Sequence, residues 1–229
     1  WLESHSRLSP RSLKNFRNSV SSFFGWAKKQ KYISENPAQE VEVPQIDWKP
    51  PVILTVEESK KLFQTAEDDE RHRALIPFLV LAAFAGLRTA EISRLDWSSV
   101  NIKRKQVTIG VDQAKKRRLR TVDLLPNAVA WLKKCPNREG GVTPRNFYHR
   151  LAKLRTDAGF QHWKGEKANA LRHSFGSYDF ALHQDAGKTA SKLGHKADDS
   201  QLFDHYRSLV DRSQARAYFK IQPKVKNGR

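Results

Sequence analysis

Four short patches of the sequence carry side chains that could act together on an anionic group. Arg88 and Arg172 stand out, because a guanidinium donates two parallel hydrogen bonds to two oxygens and keeps its charge at neutral pH. A lysine pair, a histidine after a glycine and a tyrosine could add a proton donor, a further hydrogen bond and a nucleophile. The four patches are AGLRTAEISRLDW (85–97), AKKRRLRTVDLL (114–125), ANALRHSFGSYDFA (168–181) and KLGHKADDSQLFDHYRSLV (192–210).

Each of these residues also has a purely structural interpretation. Arg88 could be a cation favoured by the dipole at a helix C-terminus, and Arg172 could be a surface arginine whose stem lies along the core. Tyr206, four residues after Leu202, could be an ordinary core residue, and His195 could be exposed at a helix cap. Singly, these interpretations are the more common ones. The four patches taken jointly favour a shared site.

The charge balance indicates a polyanionic partner. The chain has 42 Lys and Arg against 24 Asp and Glu, a net charge of +18, with a pI of about 10.1. Within 103–120, eight cations stand against one acid, Asp112. Such an excess is typical of nucleic-acid-binding proteins. The run KKRRLR (115–120) could instead protect a strand edge, but we expect double-stranded DNA as the partner.

Composition also argues against several classes of protein. The longest apolar run, 74–87, is too short to span a bilayer and contains Pro77, and no signal-peptide layout opens the chain. A single cysteine, Cys135, excludes an internal disulfide and a thiolate zinc site. We expect a cytoplasmic, nucleoid-associated protein with no metal, no cofactor and no membrane partner. The opening Trp1 and the lack of Met suggest a fragment of a longer chain.

Local patterns predict the elements that must position these patches. The segment 9–31 has apolar residues at helical spacing, after a serine N-cap and a proline at the first helical position. The prolines of VPQIDWKPPVIL (43–54) predict a stiff, extended linker. Thr55 and Glu58 then have the spacing of a capping box. They predict the first helix of a second domain.

The second domain reads as mainly helical with one small sheet. The run 74–87 is apolar nearly all round and predicts a central buried helix. TAEISRLDW (89–97) predicts that the helical path continues to about Leu95. The period then changes, and 100–110 and 118–125 predict a small antiparallel sheet.

Further helices are predicted from the end of that sheet to the C-terminus. One opens at 143–144, a second includes 171–182, Asp185 can cap a third that Gly194 ends, and a fourth follows 198–199. Their predicted inward residues are Phe147, Leu151, Leu154, Leu171, Phe175, Tyr178, Leu182, Leu202, Phe203, Tyr206, Leu209 and Val210. The predicted fold class is mainly α with a small antiparallel β-sheet (α+β).

Taken in order, the four patches resemble the tyrosine recombinase family, also called phage-type integrases. That family carries G-L-R-x-x-E, a lysine in a β-hairpin, H-x-x-R-H, L-G-H and, roughly ten residues later, a tyrosine. The match covers about 55–219, and 9–43 look like the last helices of the family's core-binding domain. The resemblance implies part of a helical DNA clamp at 1–43, a linker at 44–54 and a catalytic domain at 55–229.

The resemblance implies that these residues act on one DNA phosphate. Arg88 and Arg172 would clamp the scissile phosphate, where one missing donor typically costs about 100-fold or more in rate. Tyr206 would attack to give a 3′-phosphotyrosine, which stores the energy of the broken bond. His195 would hydrogen-bond a phosphate oxygen, and Glu91 would brace the site from behind.

The basic hairpin would supply the general acid. Lys115 would protonate the leaving 5′ oxygen, a role worth about 100- to 10,000-fold. It is favoured over Lys116 because it lies five residues before Arg120, which matches the family's hairpin spacing. The cations expected to contact DNA are Lys103, Arg104, Lys105, Lys116, Arg117, Arg118 and Arg120.

Two positions depart from the family's pattern. Asn169 stands where the family carries the first histidine of H-x-x-R-H, and an amide can hydrogen-bond phosphate but cannot take a proton at neutral pH. Phe203 stands near the tyrosine position in a plain alignment. LFDHYRSLV (202–210), however, resembles a subgroup ending in F-x-H-Y-R-x-L-V, which places the nucleophile at Tyr206.

The resemblance favours an integrase of a mobile element that is a homotetramer on DNA and a monomer in solution. The segment after Val210 is a candidate for joining the protomers. A type IB topoisomerase shares the chemistry but needs no synapsis of two sites. A catalytically impaired, DNA-binding descendant of the family is a second alternative, and a general basic RNA-binding protein is the most remote.

Overall fold

The computed structural model describes residues 8–42, 45–46, 50–110, 119–136, 138–160, 169–194 and 209–224. The chain separates into two units, 1–49 and 50–229. The boundary between the units falls inside the segment 44–54, where the sequence predicts a linker. Among the described helices, none is long and apolar enough to cross a membrane.

The first unit contains one long helix, α1 (Pro10–Lys29). Ser9 caps it by accepting a backbone amide in its first turn, as the sequence predicts. Ala27 is buried, whereas Phe16 and Val20 of the same apolar stripe are 46% and 48% exposed. The described part of the chain therefore covers this stripe only in part.

The second unit is mainly helical with one antiparallel sheet, which confirms the predicted fold class. Within the described residues, its α-helices are α2 (Val56–Asp68), α3 (Glu70–Arg73), α4 (Ile76–Phe84), α5 (Thr89–Ile92), α6 (Pro126–Lys133), α7 (Phe147–Asp157), α8 (Ala170–His183), α9 (Ala186–Leu193) and α10 (Arg212–Tyr218). The sheet has the order β1 (Val100–Asn101), β2 (Gln106–Ile109) and β3 (Arg120–Asp123), with β2 antiparallel to both neighbours.

Helix α4 runs through the centre of the second unit, and every one of its residues is buried. Helices α2, α6 and α8 pack around it, so the prediction of a central buried helix is confirmed. Phe84 stacks on Phe63 of α2 with 4.9 Å between the ring centroids, and its edge meets Tyr218 of α10 at 5.4 Å. Each large apolar side chain buried in this way contributes roughly 1.5–3 kcal/mol. The core therefore fixes the C-terminal end of α4, which leads into the site.

The chain leaves α4 by a turn, although the sequence predicts a continuing helix. Gly86 adopts φ 66°, and a Cβ there would lie 2.4 Å from the Phe175 ring and 2.9 Å from Leu193. Only glycine allows both this backbone conformation and this close approach. Arg88 follows in an extended conformation and forms the N-cap of α5.

The stretch between α6 and α7 also differs from the prediction. It is irregular, Gly141 bridges Asp96, and α7 begins at Phe147 rather than at 143–144. Asn146, with φ 56°, occupies the N-cap position and redirects the chain immediately before the helix. The apolar residues predicted to face inward from α7 are buried as expected.

The C-terminal helices pack on their own chain. Asp185 caps α9, and Gly194 ends it with φ 64°, as predicted. Helix α10 packs on α8 and α2, and its fully buried Tyr218 stacks on Tyr178 of α8 with 4.0 Å between ring centroids. Much of the segment after Val210 thus belongs to the core of the second unit.

Candidate active site

The centre of the candidate site is the carboxylate of Glu91, whose side chain is 1% exposed. Arg88 donates to it twice, from its backbone amide at 2.9 Å and from Nη1 at 3.0 Å. Arg120, at the start of β3, donates from Nη1 at 2.9 Å and from Nη2 at 2.8 Å, one bond to each carboxylate oxygen. The paired bonds hold Arg120 in the bidentate geometry that an arginine makes with a carboxylate.

These donors determine the charge of Glu91. Burial by itself would raise the pKa of this carboxyl, but the hydrogen bonds from Arg120 and Arg88 outweigh it and hold the pKa at about 2. Glu91 is therefore ionised at neutral pH. It neutralises part of the charge of two guanidinium groups and fixes where they lie.

The second centre is Arg172, which is only 6% exposed although it lies on a helix. Its Nη1 donates to the backbone carbonyl of Gly86, and its Nη2 donates to that of Leu193 at 2.6 Å. The carbonyl of Gly86 follows the end of α4, and that of Leu193 ends α9. A guanidinium can satisfy both because its donors are fixed in one plane. Helix α8 thus carries a buried arginine to join the ends of two other helices.

Backbone contacts gather the three arginines into one group, which we call the arginine cluster (Arg88, Arg120 and Arg172). Arg172 binds the carbonyl of Gly86, two residues before Arg88, and the carbonyl immediately before Gly194. A Cβ at Gly194 would lie 2.8–3.0 Å from atoms of the Arg120 guanidinium, so Arg120 packs directly against this glycine. Arg120 and Arg172 therefore both contact the end of α9, and Arg88 joins the group through the carboxylate that it shares with Arg120.

The accessible members of the arginine cluster suit an anionic ligand. The side chains of Arg88 and Arg120 are 24% and 17% exposed, while the carboxylate between them is buried. A guanidinium has five N–H donors, and Arg88 uses one of them on Glu91. The arrangement presents positive charge outward and hides the negative charge behind it. It can bind an anion through hydrogen bonds from positions that Glu91 has already fixed.

Asn169 lies at the N-cap of α8, three residues before Arg172, and it is exposed. Helix α8 therefore carries both residues in its first turn. A spacing of three residues in the sequence is compatible with this placement on one helical turn. The role of Asn169 as a phosphate contact stays a prediction.

The structure separates the cations that the sequence groups together as DNA contacts. Lys103, Arg104 and Lys105 are exposed in the turn between β1 and β2. Arg120 differs, because its guanidinium is held by Glu91 in a bidentate pair and its side chain is only 17% exposed. The remaining members of that set, Lys116, Arg117 and Arg118, lie outside the described residues, as do Lys115, His195 and Tyr206.

Sequence reasoning named Arg120 as an expected DNA contact but missed that it pairs with Glu91. Its bidentate partner is 29 residues away, so no local period could indicate it. Gly86 and Leu193 were equally hidden, since their contribution is a backbone carbonyl. The one available signal was the spacing of Arg120 from Lys115, which we used only to choose between two lysines.

Solved structures of known proteins share this fold. The Tn1549 transposon integrase (residues 82–397) in complex with transposon right end DNA superposes with a TM-score of 0.69 at 16% identity, covering 92% of this chain and 78% of that one. The XerH site-specific recombinase bound to palindromic difH substrate, in a post-cleavage complex, has a TM-score of 0.66 at 20% identity, covering 90% and 67%. A lambda integrase (75–356) dimer bound to a COC′ core site has a TM-score of 0.64 at 17% identity, covering 88% and 75%.

Sequence relatives give the family. The tyrosine recombinase XerC of Xanthomonas campestris pv. campestris is 28% identical over 236 residues, covering 96% of this chain and 70% of its own. XerD of Pseudomonas putida is 24% identical over 220 residues, covering 86% and 71%. The phage integrase family profile matches residues 53–211. The chain belongs to the phage integrase family. It is a tyrosine-type site-specific recombinase, which confirms the resemblance read from the four patches.

Proposed function

We propose that the arginine cluster holds the scissile phosphate of a DNA strand while Tyr206 attacks it. The observation that carries this proposal is the Glu91-centred arrangement, in which Arg88 and Arg120 share one buried carboxylate and Arg172 is anchored two residues before Arg88. Preoriented cations of this kind stabilise charge that develops on the non-bridging oxygens of a phosphorane. The tyrosine hydroxyl releases its proton to water as its oxygen forms a bond to phosphorus, the bond to the 5′ oxygen breaks, and Lys115 protonates that leaving oxygen.

The choice of Tyr206 is supported by the other four tyrosines. Tyr178 and Tyr218 are buried, and each donates its hydroxyl to a backbone carbonyl. Burial raises the pKa of Tyr178 to about 12 and raises that of Tyr218 well above its usual range, so neither phenol ionises readily. Tyr32 lies outside the family match, and Tyr148 lies on α7, which packs on α2 and carries none of the four sequence patches. Tyr206 is the tyrosine that remains.

The substrate in this proposal is duplex DNA of a mobile element. The exposed turn 103–105 and the net charge of +18 support backbone contacts that depend strongly on salt. Four protomers on two paired sites would allow cleavage and rejoining of both duplexes. His195, which directly follows Gly194, would donate to a phosphate oxygen, and Asn169 would add a neutral donor.

Covalent capture tests this function without knowledge of the target site. A library of nicked duplexes with a randomised central region is incubated with the protein, and complexes that survive denaturation in SDS are recovered and sequenced. We expect wild type to enrich one sequence and to remain attached to it, whereas Tyr206→Phe retains nothing. Tyr148→Phe is the matched control, since it removes an exposed phenol on α7 and should capture DNA as wild type does.

Two outcomes would contradict the proposal. Salt-sensitive binding by wild type without any covalent product would favour a catalytically impaired descendant. Covalent capture that persists in Tyr206→Phe would place the nucleophile at another residue.

A further inference from the structure

A buried carboxylate lies behind the arginine cluster, on the same helix as Arg172. Asp179, two helical turns further along α8, is 0% exposed. Its Oδ2 accepts from Thr189 Oγ1 at 2.7 Å, and its Oδ1 accepts from Lys192 Nζ at 2.5 Å. His183 Nε2 lies 3.6 Å from the same Oδ1. Burial lowers the pKa of His183, so Lys192 is the main cationic partner of Asp179 at neutral pH.

Both partners that hydrogen-bond Asp179 lie on α9, which ends at the site. Lys192 is followed directly by Leu193, whose carbonyl receives the Arg172 guanidinium at 2.6 Å. Helix α8 thus hydrogen-bonds to α9 at two points, once through Asp179 and once through Arg172. Phe175 lies between them in sequence, packs against the turn at Gly86 and has Lys192 Nζ 6.0 Å from its ring centroid.

These contacts give the last turn of α9 little freedom. A buried carboxylate that loses its charged partner is costly, so the position of Lys192 is tied to that of Asp179. The next residue places a carbonyl that fixes one half of the Arg172 fork, while Gly86 fixes the other half. A displacement of the last turn of α9 would therefore also displace the Arg172 guanidinium.

We propose that Asp179 is a positioning residue for DNA cleavage, which holds the end of α9 so that the Leu193 carbonyl aims Arg172 at the phosphate. The inference rests on the proposed function, because it assigns Asp179 to the same site. Asp179 itself touches neither DNA nor the reacting atoms. Its contribution is the direction of a guanidinium two helical turns away.

The test measures how Arg172 meets the phosphate as well as how fast DNA is cut. The captured duplex is prepared with a single sulfur in place of either non-bridging oxygen of the scissile phosphate, as separated stereoisomers. Sulfur accepts hydrogen bonds poorly, so the ratio of oxygen to sulfur cleavage rates reports the guanidinium contact. A variant that is merely less folded slows both substrates equally and leaves this ratio unchanged.

For Asp179→Asn we expect single-turnover cleavage to fall about 10-fold, with DNA affinity within about twofold of wild type. We expect the oxygen-to-sulfur ratio of one stereoisomer to shrink at least about threefold, because Arg172 no longer distinguishes the two atoms well. The double variant Asp179→Asn/Lys192→Gln should recover much of both values, since the glutamine oxygen can accept from the new amide. If Asp179→Asn does not fold, Lys192→Gln alone is the test variant, with the same expected changes in the cleavage rate and in the oxygen-to-sulfur ratio.

Asp157→Asn is the matched control, because this carboxylate on α7 binds the buried His72 of α3 at 2.8 Å and takes no part in the contacts of Asp179 with α9. It should leave the ratio unchanged. A slowed Asp179→Asn with the wild-type ratio, or one with the wild-type rate, would overturn the inference while leaving the proposed function intact. Failure of wild type to form any covalent product would instead overturn the proposed function.

Discussion

Two charged clusters in the second unit are built with opposite polarity. In one, the carboxylate of Glu91 is 1% exposed, and its partners Arg88 and Arg120 lie outside it at 24% and 17% exposure. In the other, the imidazole of His72 is 2% exposed, and Asp69 and Asp157 lie outside it at 26% and 28%. Both clusters join elements that are distant in sequence.

The comparison indicates that the sign of the buried charge decides which ligand the surrounding groups can bind. Cations around a buried carboxylate present hydrogen-bond donors and positive potential to the surface, which suits phosphate. Carboxylates around a buried histidine present acceptors, and the exposed cations Arg71 and Lys153 already pair with them. The hydrogen bond from His72 lowers the pKa of Asp157, so this carboxylate is ionised at neutral pH. The first cluster is the one that we propose for DNA phosphate, whereas the second joins α3 to α7 through His72 and Asp157.

The largest expected effect comes from removing Arg88 of the Glu91-centred cluster, compared with removing Arg71, the cation that pairs with the second cluster. Arg88→Ala should reduce single-turnover cleavage of the captured duplex by about 100- to 1,000-fold, because a preoriented donor to the phosphorane is lost. Arg71→Ala removes a cation of equal charge that pairs with Asp69 at 2.5 Å. Its cleavage rate should stay within about twofold of wild type. Equal losses in the two variants would contradict the assignment of the site to the Glu91-centred cluster.

The second prediction compares how much the carboxylates of the two clusters contribute to the free energy of unfolding. Glu91→Gln should lower the free energy of unfolding by about 3 kcal/mol, because two arginines lose a buried, hydrogen-bonded partner. Asp157→Asn should cost less, since its carboxylate is partly exposed and solvent screens the pair. Urea unfolding followed by circular dichroism measures both. A smaller loss for Glu91→Gln than for Asp157→Asn would show that Glu91 does not hold its arginines together.

A third prediction compares two glycines with nearly the same backbone. Gly194 and Gly140 have φ 64° and 67°, so Ala at either position should cost about 1 kcal/mol of stability. A Cβ at Gly194 would meet the Arg120 guanidinium at 2.8 Å, whereas a Cβ at Gly140 would meet nothing within 4 Å. Gly194→Ala should therefore also cut cleavage about 10-fold, and Gly140→Ala should not. Equal cleavage rates would mean that the contact with Arg120 is unimportant.

The smallest effect is a pH dependence. The pKa of Glu91 is lowered from 4.5 to about 2 in the folded protein, so its stabilising contribution is complete above pH 4.5 and is lost as the pH falls toward 2. In that window, the stability difference between wild type and Glu91→Gln should shrink by up to about 1.4 kcal/mol per pH unit. Unfolding free energies measured at pH 5, 4 and 3 check this. A difference that stays constant would mean that Glu91 has an ordinary pKa.

Local pattern alone predicted much of the fold. Ser9, the capping box of Thr55 and Glu58, the buried run of α4 and the two ends of α9 all follow rules that act within about one helical turn. The chemistry-bearing patches were found in the same way, because each one is short and contiguous. The break after α4 was missed, since Gly86 is required there by Phe175, which is 89 positions later in the chain.

By itself, the sequence determined the residue types of the site, the helices that carry them and the family to which they belong. Tertiary structure decided which of these residues are in contact. Arg120 shares Glu91 with Arg88, and Arg172 binds backbone carbonyls 86 and 21 residues away. The physical reason is the separation along the chain over which each kind of interaction acts. Helix caps and apolar periods are set by neighbours along the chain, whereas the partner of a buried charge is chosen by whichever distant backbone or side chain the packed core brings within about 3 Å.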